Sequence, residues 1–191
     1  LSNLLTRVDT IIVGGAMAYT FMRAQGLPTG KSLVESGMIE KAGDILAEAK
    51  AQGKPILLPT DHVCGRELKA GTETCVAQGS IPEGWMGLDI GPATQDQYCK
   101  TVQAAKQVVW NGPMGAFEIP PFDAGTRAVA RSAAAATALG AVTIAGGGDT
   151  AAAVEAFGLA DSLSHVSTGG GASLEMLEGR NFDSVAALDS D

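Results

Sequence analysis

Apolar residues along this chain fall in short runs, and between the runs they recur at helical spacing. Residues 10–13, 55–58, 86–90, 107–110 and 141–145 read as buried parallel strands, with 165–167 as a weaker sixth. These runs are too short for helices, and Gly, Pro or Asn bounds most of them. Amphipathic patterns fill the intervals at 16–24, 35–52, 94–106, 124–139 and 150–157. Gly53, Gly140 and Gly158 stand where glycine ends a helix. Thr94, behind Pro92, reads as an N-cap, with Asp96 and Gln97 in the first turn. Strand, glycine-rich loop and helix in repetition predict an α/β fold. The expected form is a Rossmann-like three-layer domain, with a mainly parallel sheet of about six strands and helices on both faces. Residues 60–84 lack this rhythm and read as an excursion with short antiparallel strands.

Composition narrows the class. The chain has 191 residues, 46% hydrophobic and 18% charged, enough to bury one core rather than stay disordered. A net charge of −8 argues against nucleic acid as a partner, because phosphate contacts need a basic face. It leaves open nucleotides held by helix N-termini and a metal ion. No apolar run approaches the roughly 18 residues that span a bilayer, so no membrane partner is expected. No signal-peptide pattern is visible. Cys64, Cys75 and Cys99 lack C-x-x-C spacing, which suggests free thiols in a reducing compartment. His62 and His165 lie far apart, so a zinc site is not expected, and His62 beside Cys64 reads as packing or surface loop. The first residue is Leu rather than Met, which suggests a fragment.

The 25 glycines are clustered, and glycine lets main-chain N–H groups approach a ligand. Four loops leave strand ends in this form: VGGAMAY, LDIGP, WNGPMGAFE and AGGGDT. In the last, Gly146, Gly147 and Gly148 turn a strand into a helix, whose free N–H groups attract phosphate. Asp149 reads either as a plain N-cap or as a Mg²⁺ ligand beside a phosphate chain, since magnesium takes one or two carboxylates plus phosphate oxygens. STGGGAS repeats the device, with Ser167 or Thr168 as cap and Gly169, Gly170 and Gly171 as amide donors, or it is a loose connection. Glu118 reads as a ribose ligand or a solvated carboxylate, and Trp110 as core. Two decoys fall away. Gly26 to Lys31 is one residue too short for a Walker A loop, and VGGAMA is not G-x-G-x-x-G.

Taken in order, IIVGGAMAYTF, EGWMGLDIGP, VVWNGPMGAFE, IAGGGDTAAA and SHVSTGGGASLEMLEG resemble the C-terminal nucleotide-binding domain of phosphoglycerate kinase. The likeness runs from about residue 4 to 179. It implies a glycolytic enzyme that reversibly transfers a phosphoryl group between 1,3-bisphosphoglycerate and ADP, giving 3-phosphoglycerate and ATP. It implies that residues 1–191 form a single nucleotide-binding domain, one lobe of two, with Mg²⁺ as cofactor and ADP or ATP as substrate. By the resemblance, Gly14, Gly15, Ala16 and the segment through Ala18 form one wall of the adenine slot, and Gly87 and Leu88 the other. Many family members carry a third glycine where Ala16 stands. Asn111, Pro113 and Gly115 lie along the nucleotide, and Glu118 binds the ribose. Gly147, Gly148, Asp149 and Thr150 form the phosphate loop, with Asp149 on the metal. Gly148, Thr150, Gly170 and Gly171 take the catalytic places around the transferring group.

The departures matter as well. The family's GGAK-type segment and its basic N-terminal lobe have no counterpart here, and Lys31 and Lys54 do not match its lysines. The chain is therefore expected to bind nucleotide weakly and not to turn over alone, with phosphoglycerate held by the missing lobe. A cytoplasmic monomer is expected when intact, organelle forms being known in the family. Two other classes compete. One is a non-catalytic nucleotide-binding module that regulates a partner. The other is an NAD-dependent oxidoreductase, which the absent G-x-G-x-x-G disfavours.

Overall fold

The computed structural model describes residues 2–169. Strands β1 (Ile11–Ile12) and β2 (Ile56–Leu57) pair in parallel, Ile11 opposite Ile56. Strands β3 (Asp61–Gly65), β4 (Thr74–Gln78) and β5 (Met86–Ile90) form an antiparallel sheet in the order β4-β3-β5. Strands β6 (Gln107–Asn111), β7 (Val142–Gly146) and β8 (His165–Ser167) form a second parallel sheet in chain order. Helices α1 (Ser2–Leu5), α2 (Gly15–Ala24), α3 (Ile39–Ala51), α4 (Pro92–Ala104), α5 (Ala124–Ala138) and α6 (Gly148–Ala156) connect and cover them.

The α/β class and the parallel strands followed by helices hold. The parallel sheets are smaller than the expected sheet of about six strands, for among the described residues hydrogen bonding divides the strands into three groups. One of the runs expected to be parallel, residues 86–90, pairs antiparallel with β3 instead. Both kinds of strand, once covered on both faces, read as short apolar runs, so periodicity cannot tell them apart. The irregular stretch supplies the partner, since β3 and β4 form a hairpin whose free side takes β5.

Helix starts also differ from the pattern. Residues 36–38 form a 3₁₀ turn, so α3 begins at Ile39. Helix α4 begins at Pro92, with Gly91 at the N-cap, and Thr94 lies inside it. The cap comes from another element. Asp61, at the start of β3, accepts the Ala93 N–H at 3.0 Å, the Thr94 N–H at 2.8 Å and the Thr94 hydroxyl at 2.6 Å. A buried carboxylate at a helix N-terminus meets both the orphan donors and the helix dipole.

Two apolar cores flank the parallel strands. One gathers Ile90, Tyr98, Trp110, Val129 and Val154; the other gathers Leu5, Ile11, Val13, Phe21 and Ile45. Helix α4 links them, for the Tyr98 hydroxyl donates to Val13 O at 2.7 Å, with Leu57 O at 3.2 Å. Tyr19, Met22, Cys64 and Ile81 fill a third cluster against the antiparallel sheet.

Candidate functional site

The loops after β1 and β6 meet. Gly15 N donates to Met114 O at 3.1 Å. Gly15 has φ +59°, and a Cβ there would stand 2.7 Å from Pro113 O, while one on Gly14 would collide with Met114. Glycine is thus required on both counts, backbone conformation and close approach. Gly87, in β5, leaves room for Tyr19, and its N–H takes Ser32 Oγ at 2.9 Å. Gly115 makes room for the Asp89 carboxylate.

A cavity of about 1560 Å³ opens here, lined by Gly14, Gly15, Ala16, Gly87, Leu88, Asn111, Pro113 and Gly115. The two expected walls of the slot therefore face one space. Met17, inside the segment expected to form the first wall, also lines it, and so do Lys31, Leu33 and Leu68, which sequence reading missed. Leu33 is 72% exposed, Leu68 55% and Met17 51%. Bare apolar side chains around a concavity suit a flat apolar ligand group. Leu33 and Leu68 fall in stretches without periodicity, where only a three-dimensional rim reveals them.

Glu118, Gly147, Gly148, Asp149 and Thr150 lie off that lining. Gly147, φ +99°, occupies the N-cap position, and α6 starts at Gly148, so the N–H groups of Gly148, Asp149 and Thr150 begin the helix. A Cβ on Gly148 would meet nothing within 4 Å, so the space before it is open. The Thr150 side chain turns inward: it is buried and accepts the Gly112 N–H at 2.7 Å. That bond ties the phosphate-type loop to the WNGP loop. Asn111 completes the join, its Nδ2 lying 3.1 Å from where a Gly147 Cβ would stand.

The first glycine triplet lies beside the start of the second, as their strands are neighbours. Gly146 is opposite Ser167 in the β7–β8 register, Gly147 N donates to Ser167 O at 3.0 Å, and Gly169 N donates to Ser167 Oγ at 3.1 Å. Gly170 and Gly171 lie outside the described residues. Asp149 and Glu118 are exposed. Asp149 enters no hydrogen bond or ion pair among the described residues, which leaves its carboxylate available to a cation. No group of three His, Cys, Asp or Glu fit for a metal exists among those residues. A lone carboxylate of this kind matches the ligand set of magnesium, which takes one or two carboxylates and completes its shell with phosphate oxygens and water.

Behind the site stands Asp89. It is fully buried, and its oxygens accept the Ile90 N–H at 2.8 Å and the Gly125 N–H at 2.7 Å. Burial pushes its pKa up to about 7, aided by the nearby Asp123 carboxylate and opposed by the Gly125 and Ile90 N–H groups. Between the unfolded value near 3.9 and the folded value the native state holds the extra proton. Stability drawn from this group thus falls as pH rises from about 4 to about 7. Asp89→Asn is expected to flatten that part of the profile, measured as melting temperature from pH 5 to pH 8. An unchanged slope would refute the assignment. His62 acts in the opposite sense below pH 6.5, since burial lowers its pKa while the Gly79 backbone and Asp61 oppose the shift. The ring is wholly buried beside Tyr19, and neither nitrogen has a hydrogen bond.

These features define a class: an α/β domain of the doubly wound kind, its ligand loops gathered beyond the carboxyl ends of parallel strands. The family model described as phosphoglycerate kinase matches residues 1–180. Phosphoglycerate kinase of Anaeromyxobacter dehalogenans strain 2CP-1 is 55% identical over 190 residues, covering 99% of this chain and 47% of that protein. The enzyme of Thermosipho africanus is 50% identical, covering 98% and 47%. The solved phosphoglycerate kinase of Coxiella burnetii superposes with a TM-score of 0.88 at 42% identity, covering 93% of this chain and 46% of that one. That of Pyrococcus horikoshii gives 0.82 at 28% identity. The chain belongs to the phosphoglycerate kinase family. It spans about half the length of the curated relatives it matches. Among the described residues no helix is long and apolar enough to cross a membrane.

Proposed function

We propose that this chain is the nucleotide-binding lobe of a phosphoglycerate kinase. The whole protein would transfer a phosphoryl group between 1,3-bisphosphoglycerate and ADP, giving 3-phosphoglycerate and ATP. The observation that carries the reading is the joining of a cavity with bare apolar rims to the open start of α6, through Asn111 and Gly112. Adenine would enter between Gly14–Ala16 and Gly87–Leu88, with Leu33 and Leu68 over it. Glu118 would reach the ribose. The N–H groups of Gly148, Asp149 and Thr150 would face the phosphates, where the positive helix end favours negative charge.

Phosphoryl transfer asks for positioning and charge stabilisation more than covalent chemistry. The acceptor oxygen of ADP is already anionic, so no general base is needed, which fits a site without histidine. Magnesium, when bound, neutralises phosphate charge, and Asp149 would hold it. Each well-aimed N–H donor at the moving phosphoryl group is worth about 3 kcal/mol, by analogy with oxyanion holes. The second triplet, at Gly169, Gly170 and Gly171, would supply such donors. It carries no carboxylate, which would repel the group in flight.

The acyl phosphate would be held by the part of the relatives that this chain does not span. The chain alone should therefore bind Mg·ADP weakly and show no turnover. Titration calorimetry with Mg·ADP, with NAD as the control, tests the reading. Binding of ADP and not NAD is expected; NAD binding alone, or turnover by the chain as written, would overturn it.

A further inference from the structure

We propose that Cys64 and Cys75 form a redox modification site: a thiol pair, facing each other across β3 and β4, that a low-molecular-weight disulfide converts into a cross-strand disulfide bond. All three cysteines of the chain are free thiols. Cys64 stands directly opposite Cys75 in the β3–β4 register. Opposite residues of an antiparallel pair share one face of the sheet. Here that face carries the cluster of Tyr19, Met22, Cys64 and Ile81, with Cys75 packed against it. Bonded pairs mark the ladder on both sides. Gly79 N donates to Thr60 O at 2.8 Å, and Arg66 N to Glu73 O at 3.3 Å. By alternation Cys64 and Cys75 are a hydrogen-bonded pair as well, with Cα atoms ~5.5 Å apart. A disulfide spans Cα separations of ~4.4–6.8 Å, so the register holds the two at a distance the bond can close.

The two thiols differ in access. Cys64 is wholly buried, and Cys75 is half-buried. On its other side Cys64 faces Gly87 of β5, which has no side chain, and Tyr19 fills the space over that glycine. A reagent therefore reaches Cys75 first. Burial pushes the Cys64 thiol up to about 12; the adjacent Cys75 thiol adds to the shift, and the Ala77 backbone opposes it. A thiol so enclosed is inert to outside reagents, and the sulfur it can attack is the one across the ladder. Cys99 belongs to α4 instead.

Closure takes two exchanges. The Cys75 thiolate attacks one sulfur of the small disulfide RSSR, forming a Cys75–S–S–R bond and releasing RS⁻, which takes up the proton that Cys75 gave. Cys64 then loses its proton, attacks the Cys75 sulfur and expels the second RS⁻, which takes up that proton in turn. The two cysteines give up two electrons, and RSSR is reduced to two RSH. Because little of Cys64 is ionised at neutral pH, the second exchange is the slow one. The inference does not depend on what the cavity binds.

Thiol mapping tests it. The folded chain is incubated with glutathione disulfide, the remaining thiols are alkylated, and the chain is cut after its glutamates. Glu67, Glu73 and Glu83 then place the three cysteines on separate peptides, which mass spectrometry weighs. A peptide joining Cys64 to Cys75 is expected. In Cys64→Ser the glutathione adduct on Cys75 should accumulate to at least ~10-fold its level in the unaltered chain, because no thiol resolves it. In Cys75→Ser, Cys64 should stay unmodified. Alkylation of both Cys64 and Cys75, a lasting glutathione adduct on Cys75 in the unaltered chain, or a link from either to Cys99 would overturn the inference. So would loss of the cooperative thermal transition on closure, since the register would then not hold the bond.

Discussion

Asp61→Ala is expected to destabilise the domain by about 2–4 kcal/mol. The carboxylate is 1% exposed and answers three donors on α4, the N–H groups of Ala93 and Thr94 and the Thr94 hydroxyl. Alanine would leave those donors facing a small void. Buried donors without acceptors cost their full desolvation, whereas an ordinary cap lost to water costs about 1 kcal/mol. Thr94 Oγ1 also accepts Thr60 N at 3.0 Å, so the same change loosens the entry to β3. Urea unfolding measures the loss, and Asp61→Asn should recover part of it. A change below about 1 kcal/mol would show that water replaces the carboxylate and that the cap carries little.

The second large effect concerns ligand rather than fold. In the presence of magnesium, Asp149→Ala is expected to weaken ADP binding at least ~10-fold, or about 1.4 kcal/mol. Without magnesium the same substitution should leave affinity equal or improve it, because a negative charge beside the phosphates is gone. Thermal stability should move by no more than ~1 kcal/mol, since the exposed side chain contributes only its interaction with the helix dipole. Calorimetry on both proteins, with and without magnesium, separates these outcomes. Equal magnesium dependence in the two would remove Asp149 from the metal.

Much of this arrangement was legible in the linear sequence where one residue type has one physical use. Short apolar runs ending in glycine gave β7 and the turn into α6, because a strand-to-helix reversal needs φ values such as the +99° of Gly147. Gly140 and Gly158 ended helices for the same reason. The antiparallel pairing of β5 was hidden, since its burial resembles that of a parallel strand. The Asp61 cap was hidden because its partners lie over thirty residues away, at separations of 32 and 33. Thr94 looked like the cap, having the right side chain and a neighbouring proline. Lys31, Leu33 and Leu68 gave no signal because a rim is a property of assembled loops.

The bond from Tyr98 to Val13 has a consequence for how the domain comes apart. Among the described residues no ladder joins β1 and β2 to the sheet of β6, β7 and β8, and the two apolar cores meet through side chains, with Ile12 and Leu57 packed against one and Ile11 and Ile56 in the other. Helix α4 adds a polar tie, since the Tyr98 hydroxyl donates to Val13 O in one half while its ring is buried in the other. Because the Gly15 N–H to Met114 O bond and the packing of Ile12 and Leu57 remain when that hydroxyl is removed, its loss would loosen the seam without releasing either core.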